Sequence, residues 1–349
     1  MKLNQSFRLI VVFSLMALVM TGCRFTRGQG QAKPPSAETQ PIVVEATSTS
    51  AVEALTFQTG RNDYVTRIDG DPREFILYVP ARYDASQLTP LVFMFHGSNQ
   101  SGNIMYENTR WKEKADDENI LVVFPTAWKY PLIGEGGVHE KWNDVTLNML
   151  VEPGTELKDD VNFVRVMLEQ IKATFNVDEK RIFATGFSNG GSFVSTRLLF
   201  EMNDVFAAFA ICGSGIKLGF DIEGVELPKG ILKSLYTIIG NSDDKIGEGT
   251  GHAQPFPMKA EDIFNDELFG PMLVNTAGIL SLDPTYDVQY HEPAYTIMTF
   301  NDSMADADNE YIFQMVNNMG HVYPSVDNNR HGLDAAPLFW DFFMRHPLK

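Results

Sequence analysis

Cysteine is nearly missing: Cys23 and Cys212 are the two in 349 residues. A disulfide-stapled fold is thereby excluded, and the chain must hold itself together by burying a core, which its length permits. Positive charge is scarce too. Lys and Arg number 28 against 45 Asp and Glu, a formal net charge of −17. That balance argues against a nucleic-acid partner and against anionic lipid headgroups, and serves solubility. There is no internal repeat. Five of the histidines, His139, His252, His291, His331 and His346, show no metal-ligand spacing, so neither a catalytic metal nor another cofactor is expected. The apolar run at 9–20 is too short to span a bilayer.

What precedes and follows that run indicates a compartment. Lys2 and Arg8 stand before it, and Met20-Thr21-Gly22-Cys23 closes it. This resembles a bacterial lipoprotein signal, which implies acylation of Cys23 and a mature protein tethered outside the cytoplasm; an ordinary secretory signal or a single anchor helix is the alternative. Residues 24–53 are rich in Gln, Pro, Ser and Thr and read as a flexible spacer. Residues 54–349 read as the folded domain. Cys212 follows the apolar run 206–211, as a buried structural thiol does.

Within the domain, short apolar runs alternate with helical patterns. Residues 64–68 and 75–79 alternate as antiparallel edge strands, joined by Asp69-Gly70-Asp71-Pro72. Residues 91–95, 120–124, 182–185, 209–211, 235–239 and 311–316 are continuously apolar, as in strands buried on both faces. Helices are expected over 111–118, 159–175, 189–202 and 337–345. This order predicts an α/β domain with a mostly parallel sheet covered on both faces. Residues 248–295, with weak periodicity between two core strands, are expected to form a lid over the site.

The chemistry centres on Gly186-Phe187-Ser188-Asn189-Gly190, a G-x-S-x-G sequence between a strand and a helix. Such a turn lifts one hydroxyl out of the sheet and aims the first N–H groups of a helix at it. Serine is a weak nucleophile until a base takes its proton, and a histidine needs a carboxylate to orient it. Gly240-Asn241-Ser242-Asp243-Asp244 follows a later strand, and Met319-Gly320-His321 lies in the last loop. Ser188, Asp243 and His321 therefore stand in the order that an elbow hydrolase requires, with Asp244 as the other candidate acid. After the strand at 91–95 comes His96-Gly97-Ser98. The N–H groups of Ser98 and Asn189 are the expected oxyanion donors, with His96 bracing their loop.

A series of motifs joins these residues: His96-Gly97-x-x-Gln100, Asp159-Asp160-Val161-x-Phe163, Val177-Asp178-x-x-Arg181-Ile182-x-x-Thr185-Gly186-x-Ser188-Asn189-Gly190-Gly191, and Val205-Phe206-Ala207-Ala208. Together they resemble the secreted esterases grouped with polyhydroxybutyrate depolymerases and feruloyl or acetylxylan esterases, over about residues 73–343. The resemblance implies an α/β-hydrolase fold and hydrolysis of a carboxylic ester, with a small or oligomeric ester as partner. Three departures stand out: Asp244 replaces the usual Pro, Tyr323 replaces the usual Trp, and the disulfides common in the group are missing. Gly97, Trp142 and Tyr323 are candidates for the substrate pocket; Trp128, Trp142 and Tyr323 suit wall or core packing equally. The competing functions are a peptidase with the same triad and a tethered binding protein without turnover.

Overall fold

The computed structural model describes residues 42–43, 54–216 and 230–349, apart from 247, 249–251 and 306. Cys23, the apolar run before it and most of the 24–53 stretch lie outside the described residues. Within that stretch, β1 (Ile42–Val43) pairs in parallel with β2 (Gly60–Ile68), so this part of the expected spacer joins the sheet.

The remaining strands are β3 (Asp71–Val79), β4 (Thr89–Phe95), β5 (Leu121–Pro125), β6 (Lys129–Tyr130), β7 (His139–Glu140), β8 (Val177–Phe187), β9 (Ala208–Cys212), β10 (Ser234–Gly240), β11 (Asp287–His291), β12 (Tyr295–Phe300) and β13 (Tyr311–Val316). Among the described residues, eleven of the thirteen form one sheet in the order β1-β2-β3-β5-β4-β8-β9-β10-β13-β12-β11; β6 and β7 form a separate ribbon. The pairs from β5 through β13 are parallel, whereas β2, β3 and β5 pair antiparallel at one side, and β13, β12 and β11 at the other. The parallel strands are buried on both faces, which is why they read as unbroken apolar runs.

Alternate residues along each strand feed two cores. Leu91, Phe93 and Phe95 face one, Val92 and Met94 the other. The first core is closed by α3 (Asp160–Thr174), by the helix after β8, and by α7 (Phe269–Ile279). The second is closed by α1 (Gly102–Asn108), α2 (Trp111–Glu118) and α8 (Ala335–Phe343), where Phe343 stacks on Phe183 at 4.6 Å. The helix after β8 runs through α4 (Asn189–Phe193), a π-helical turn and α5 (Leu199–Glu201). Helix α3 starts because the Asp159 carboxylate accepts the Asn162 N–H at 2.9 Å.

The 248–295 stretch does not form a detached lid. α6 (Ala260–Phe264) and α7 carry Ile263, Phe269, Leu273 and Ala277 into the first core, and β11 with the start of β12 extends the sheet. The physical reason is burial: Phe269 packs edge-on to Phe256 at 5.0 Å and against Phe313 of β13 at 5.8 Å. α7 is thus part of the crossover that delivers the chain from β10 to β13. Among the described residues, no helix is long and apolar enough to cross a membrane.

Removing the Phe269 ring tests this assignment. Phe269→Ala is expected to destabilise the domain by about 3–5 kcal/mol, as truncation of a core phenylalanine does. Urea unfolding followed by tryptophan fluorescence measures it, and a loss below about 1 kcal/mol would return α7 to the status of a loosely packed lid.

Candidate active site

The parallel strands end at one edge of the sheet, and the loops leaving β4, β8, β9, β10 and β13 meet there. The sharpest turn follows β8. Ser188 sits at φ 52° and ψ −119°, in left-handed backbone that a serine rarely adopts. Two hydrogen bonds hold it: its N–H donates to the Cys212 carbonyl at the end of β9 (2.9 Å), and its carbonyl accepts the Ser192 N–H (2.8 Å). Gly190 makes the turn possible, since a Cβ there would lie 2.4 Å from the His96 carbonyl oxygen.

The structure brings Ser188, His321 and Asp243 together. Ser188 Oγ lies 2.8 Å from His321 Nε2, and His321 Nδ1 lies 2.9 Å from both carboxylate oxygens of Asp243. A carboxylate only accepts, so Nδ1 carries the imidazole proton and Nε2 is left to accept from the Ser188 hydroxyl. Asp243 is buried, with its Oδ1 also accepting the N–H groups of Lys245 (2.9 Å) and Ile246 (3.2 Å). Its neighbour Asp244 is exposed and takes no part in this chain of bonds. The Phe187 ring lies against the His321 imidazole at 4.9 Å and limits its tilt.

Two loops must stay in register for this contact, and Asn241 joins them. This buried side chain accepts the Asn318 N–H (2.7 Å) and donates to the Asn317 side chain (3.2 Å), while the Ser242 N–H donates to the Met319 carbonyl (3.0 Å). Gly240 permits the approach, because a Cβ would lie 2.0 Å from the Met319 carbonyl oxygen. The sequence held a hint in the Gly240-Asn241 pair at the strand end, but its partners are 76 and 77 residues away.

The loop after β4 lies directly on the serine turn: a Cβ on Gly97 would be 3.2 Å from Ser188 Cβ. Gly97 thus borders the hydroxyl, as a pocket residue would. Among the described residues no acceptor takes the N–H of Ser98 or of Asn189. His96 is fully buried behind this loop. Its Nδ1–H donates to the Gly97 carbonyl (2.7 Å), and its Nε2 accepts the Ala127 N–H (2.9 Å). Burial pushes its pKa down to about 4, which keeps the ring neutral.

Two expected pocket residues are corrected. Trp142 is fully buried, its ring stacked on Phe193 at 5.3 Å and its indole N–H donating to the His96 carbonyl. Tyr323 is buried on the other side of the sheet, where its hydroxyl accepts the Trp111 indole N–H at 2.8 Å. Both rings pair their polar atoms inside the protein and present no wall to a ligand. Among the described residues, no group of three His, Cys, Asp or Glu side chains is arranged to hold a metal ion. Cys212 is free and buried, and desolvation raises its thiol pKa well above the ordinary value.

Comparison with known proteins follows the same lines. No family model matches the chain. Over 151 residues it is 31% identical to the bifunctional acetylxylan esterase/xylanase XynS20E of Neocallimastix patriciarum, a match covering 43% of this chain and 19% of that protein. Over 179 residues it is 28% identical to poly(3-hydroxyalkanoate) depolymerase C of Paucimonas lemoignei, covering 50% of this chain and 38% of that one. The chain thus spans well under half the length of either relative. Among solved structures, native sOPH shares 17% identity with a TM-score of 0.53, covering 86% of this chain and 91% of that one. Sheet order, helices on both faces and this likeness define the fold as α/β-hydrolase.

The depressed pKa of His96 sets a pH dependence. Its folded value of about 4 lies below the unfolded value near 6.5, so the unfolded chain binds the extra proton first. Stability is expected to fall as pH drops from about 6.5 toward 4, by up to about 1.4 kcal/mol per unit from this group. Urea titrations at several pH values should show a shallower slope over that window in His96→Gln than in the unsubstituted protein. Parallel slopes would remove His96 from the account.

Proposed function

We propose that the protein is an esterase that cleaves carboxylic esters through an acyl-enzyme on Ser188. The observation that carries this reading is the continuous bond chain from the Ser188 hydroxyl through both nitrogens of His321 to buried Asp243. His321 takes the hydroxyl proton as Oγ attacks the ester carbonyl carbon. The negative charge that develops on the carbonyl oxygen is met by the N–H groups of Ser98 and Asn189. The tetrahedral species collapses, the C–O bond to the alcohol breaks, and His321 returns its proton to the departing oxygen. Water then repeats the sequence on the acyl group, releasing the acid and restoring Ser188. No cofactor enters this cycle. The relatives' names support an acetyl- or feruloyl-sugar ester or a hydroxyalkanoate ester as the substrate class. We place the activity outside the cytoplasm, with the chain anchored through a lipid on Cys23, on the strength of the Met20-Thr21-Gly22-Cys23 sequence.

The full chain, purified in detergent, should release nitrophenol from short-chain nitrophenyl esters. Ser188→Ala should lower kcat about 10⁴-fold or more and Asp243→Asn by about 10³–10⁴-fold, while Asp244→Asn stays within about twofold. Equal rates for the unsubstituted and Ser188→Ala proteins would sink the mechanism, and a larger loss in Asp244→Asn than in Asp243→Asn would reassign the acid. A panel of feruloyl, acetyl-sugar and hydroxybutyrate-oligomer esters then ranks the substrate classes by kcat/KM.

A further inference from the structure

The Asp159-Asp160 motif has one member without a role so far. Asp159 caps α3, but Asp160 turns inward and is fully buried, away from Ser188 and His321 in sequence. One carboxylate oxygen accepts Arg73 Nη2 at 2.6 Å, and Arg73 lies over the Phe163 ring at 4.1 Å. The other oxygen accepts the backbone N–H of Asn143 at 2.6 Å. The Asn143 carbonyl is held from the opposite side by Arg197 Nη1 at 2.9 Å, and Arg197 is itself paired with Glu201. One loop residue is therefore gripped at both its backbone donor and its backbone acceptor by buried or half-buried charge.

That loop is the link between the two proposed oxyanion donors. On one side, the Trp142 N–H donates to Asn189 Oδ1 at 2.7 Å, while Asn189 Nδ2 donates to the Trp142 carbonyl and to Asp144 Oδ2, each at 3.3 Å. On the other side, the Glu140 carbonyl accepts the Asn99 N–H at 3.0 Å, and the His139 ring meets Asn99 Oδ1 at 2.8 Å. The Trp142 indole N–H reaches the His96 carbonyl at 2.9 Å. Asn189 and Ser98 leave different strands, β8 and β4, and the segment from His139 to Asp144 is what spans the residues beside them.

We infer that Asp160 is a positioning residue: through Asn143 it fixes the 139–144 segment, which sets the spacing of the Ser98 and Asn189 N–H groups. This rests on the ester-hydrolase reading. A buried ion pair that only stabilised α3 would satisfy its second oxygen within the helix or the sheet. Here that oxygen is spent on a loop that also bonds the side chain of Asn189 and the backbone of Asn99, the neighbour of Ser98. Donors of this kind act mainly on the transition state, so a displaced segment lowers kcat and leaves KM in place.

Four variants of the full chain test this. Arg73→Met with Asp160→Leu replaces the buried pair by apolar groups that preserve folding and removes the acceptor for Asn143. Its kcat on a nitrophenyl ester is expected to fall about 10–100-fold with KM within about twofold. Arg73→Met with Asp160→Asn restores an acceptor without charge and should recover most of that loss. His139→Ala, at the partly exposed end of the segment, should lower kcat about 3–10-fold with KM unchanged, and it decides the matter if the inner variants do not fold. Asp159→Asn, outside the segment, keeps an acceptor for the Asn162 N–H at the start of α3 and should match the unsubstituted kcat. Wild-type kcat in the folded Leu variant, or a loss that only tracks the fraction of molecules titrated by a nitrophenyl-ester burst, overturns the inference. A protein inert toward every ester overturns the hydrolase reading instead. The segment's role is then read from hydrogen exchange at 98–100 and 189–191, which the Leu variant should accelerate and unchanged exchange would refute.

Discussion

Ser188 is held in backbone that its side chain disfavours, and much of the structure can be understood as what keeps it there. A non-glycine residue in such a conformation costs about 1–3 kcal/mol, and it persists only where the surroundings leave no alternative. Those surroundings are the ends of β4 and β9 on either side, whose carbonyls at His96 and Cys212 bracket the turn. They in turn are fixed by strands buried on both faces. The double-sided core is therefore the support that lets one hydroxyl stand free of the sheet at a fixed height.

His96, Asp243 and Asn241, behind the hydroxyl, have their partners in place. His96 is kept neutral by burial and spends both nitrogens on backbone. Asp243 collects the imidazole and two backbone N–H groups, and Asn241 ties its loop to that of His321. Such an arrangement reorganises little when charge develops in front of it, which is the property that electrostatic stabilisation requires. His96 and Asp243 are themselves shielded from solvent.

Much of this was legible in the chain. β4, β8, β9 and β10 announce themselves as apolar runs because both faces are covered, and the serine, acid and histidine loops follow strands in a recognisable order. The α7 helix was hidden because Gly270, Pro271 and Gly278 interrupt its apolar sequence, and a helix buried on several sides has little periodicity to detect. Trp142 and Tyr323 misled because an aromatic beside a motif fits a wall and a core equally well. What separates the two is the partner of the indole N–H or the phenol, and those partners are 46 and 212 residues distant. Asp160 was visible as a motif, but its meaning depends on Asn143, which no pattern singles out.

The hairpin of β11 and β12 has a bearing on solubility and local opening. Without it, β13 would be the outermost strand, with its amide row bare, and the loop bearing His321 would hang from an element prone to fray. Pairing with β12 makes β13 an interior strand along its whole length, from Tyr311 to Val316. The vulnerable border moves two strands outward to β11, where Asp287, Gln289 and His291 are exposed. Polar and ionisable side chains there discourage another chain from adding to the sheet. The cost of owning an edge is thus borne by residues far from the chemistry, and the histidine loop keeps a strand that opens only with the core.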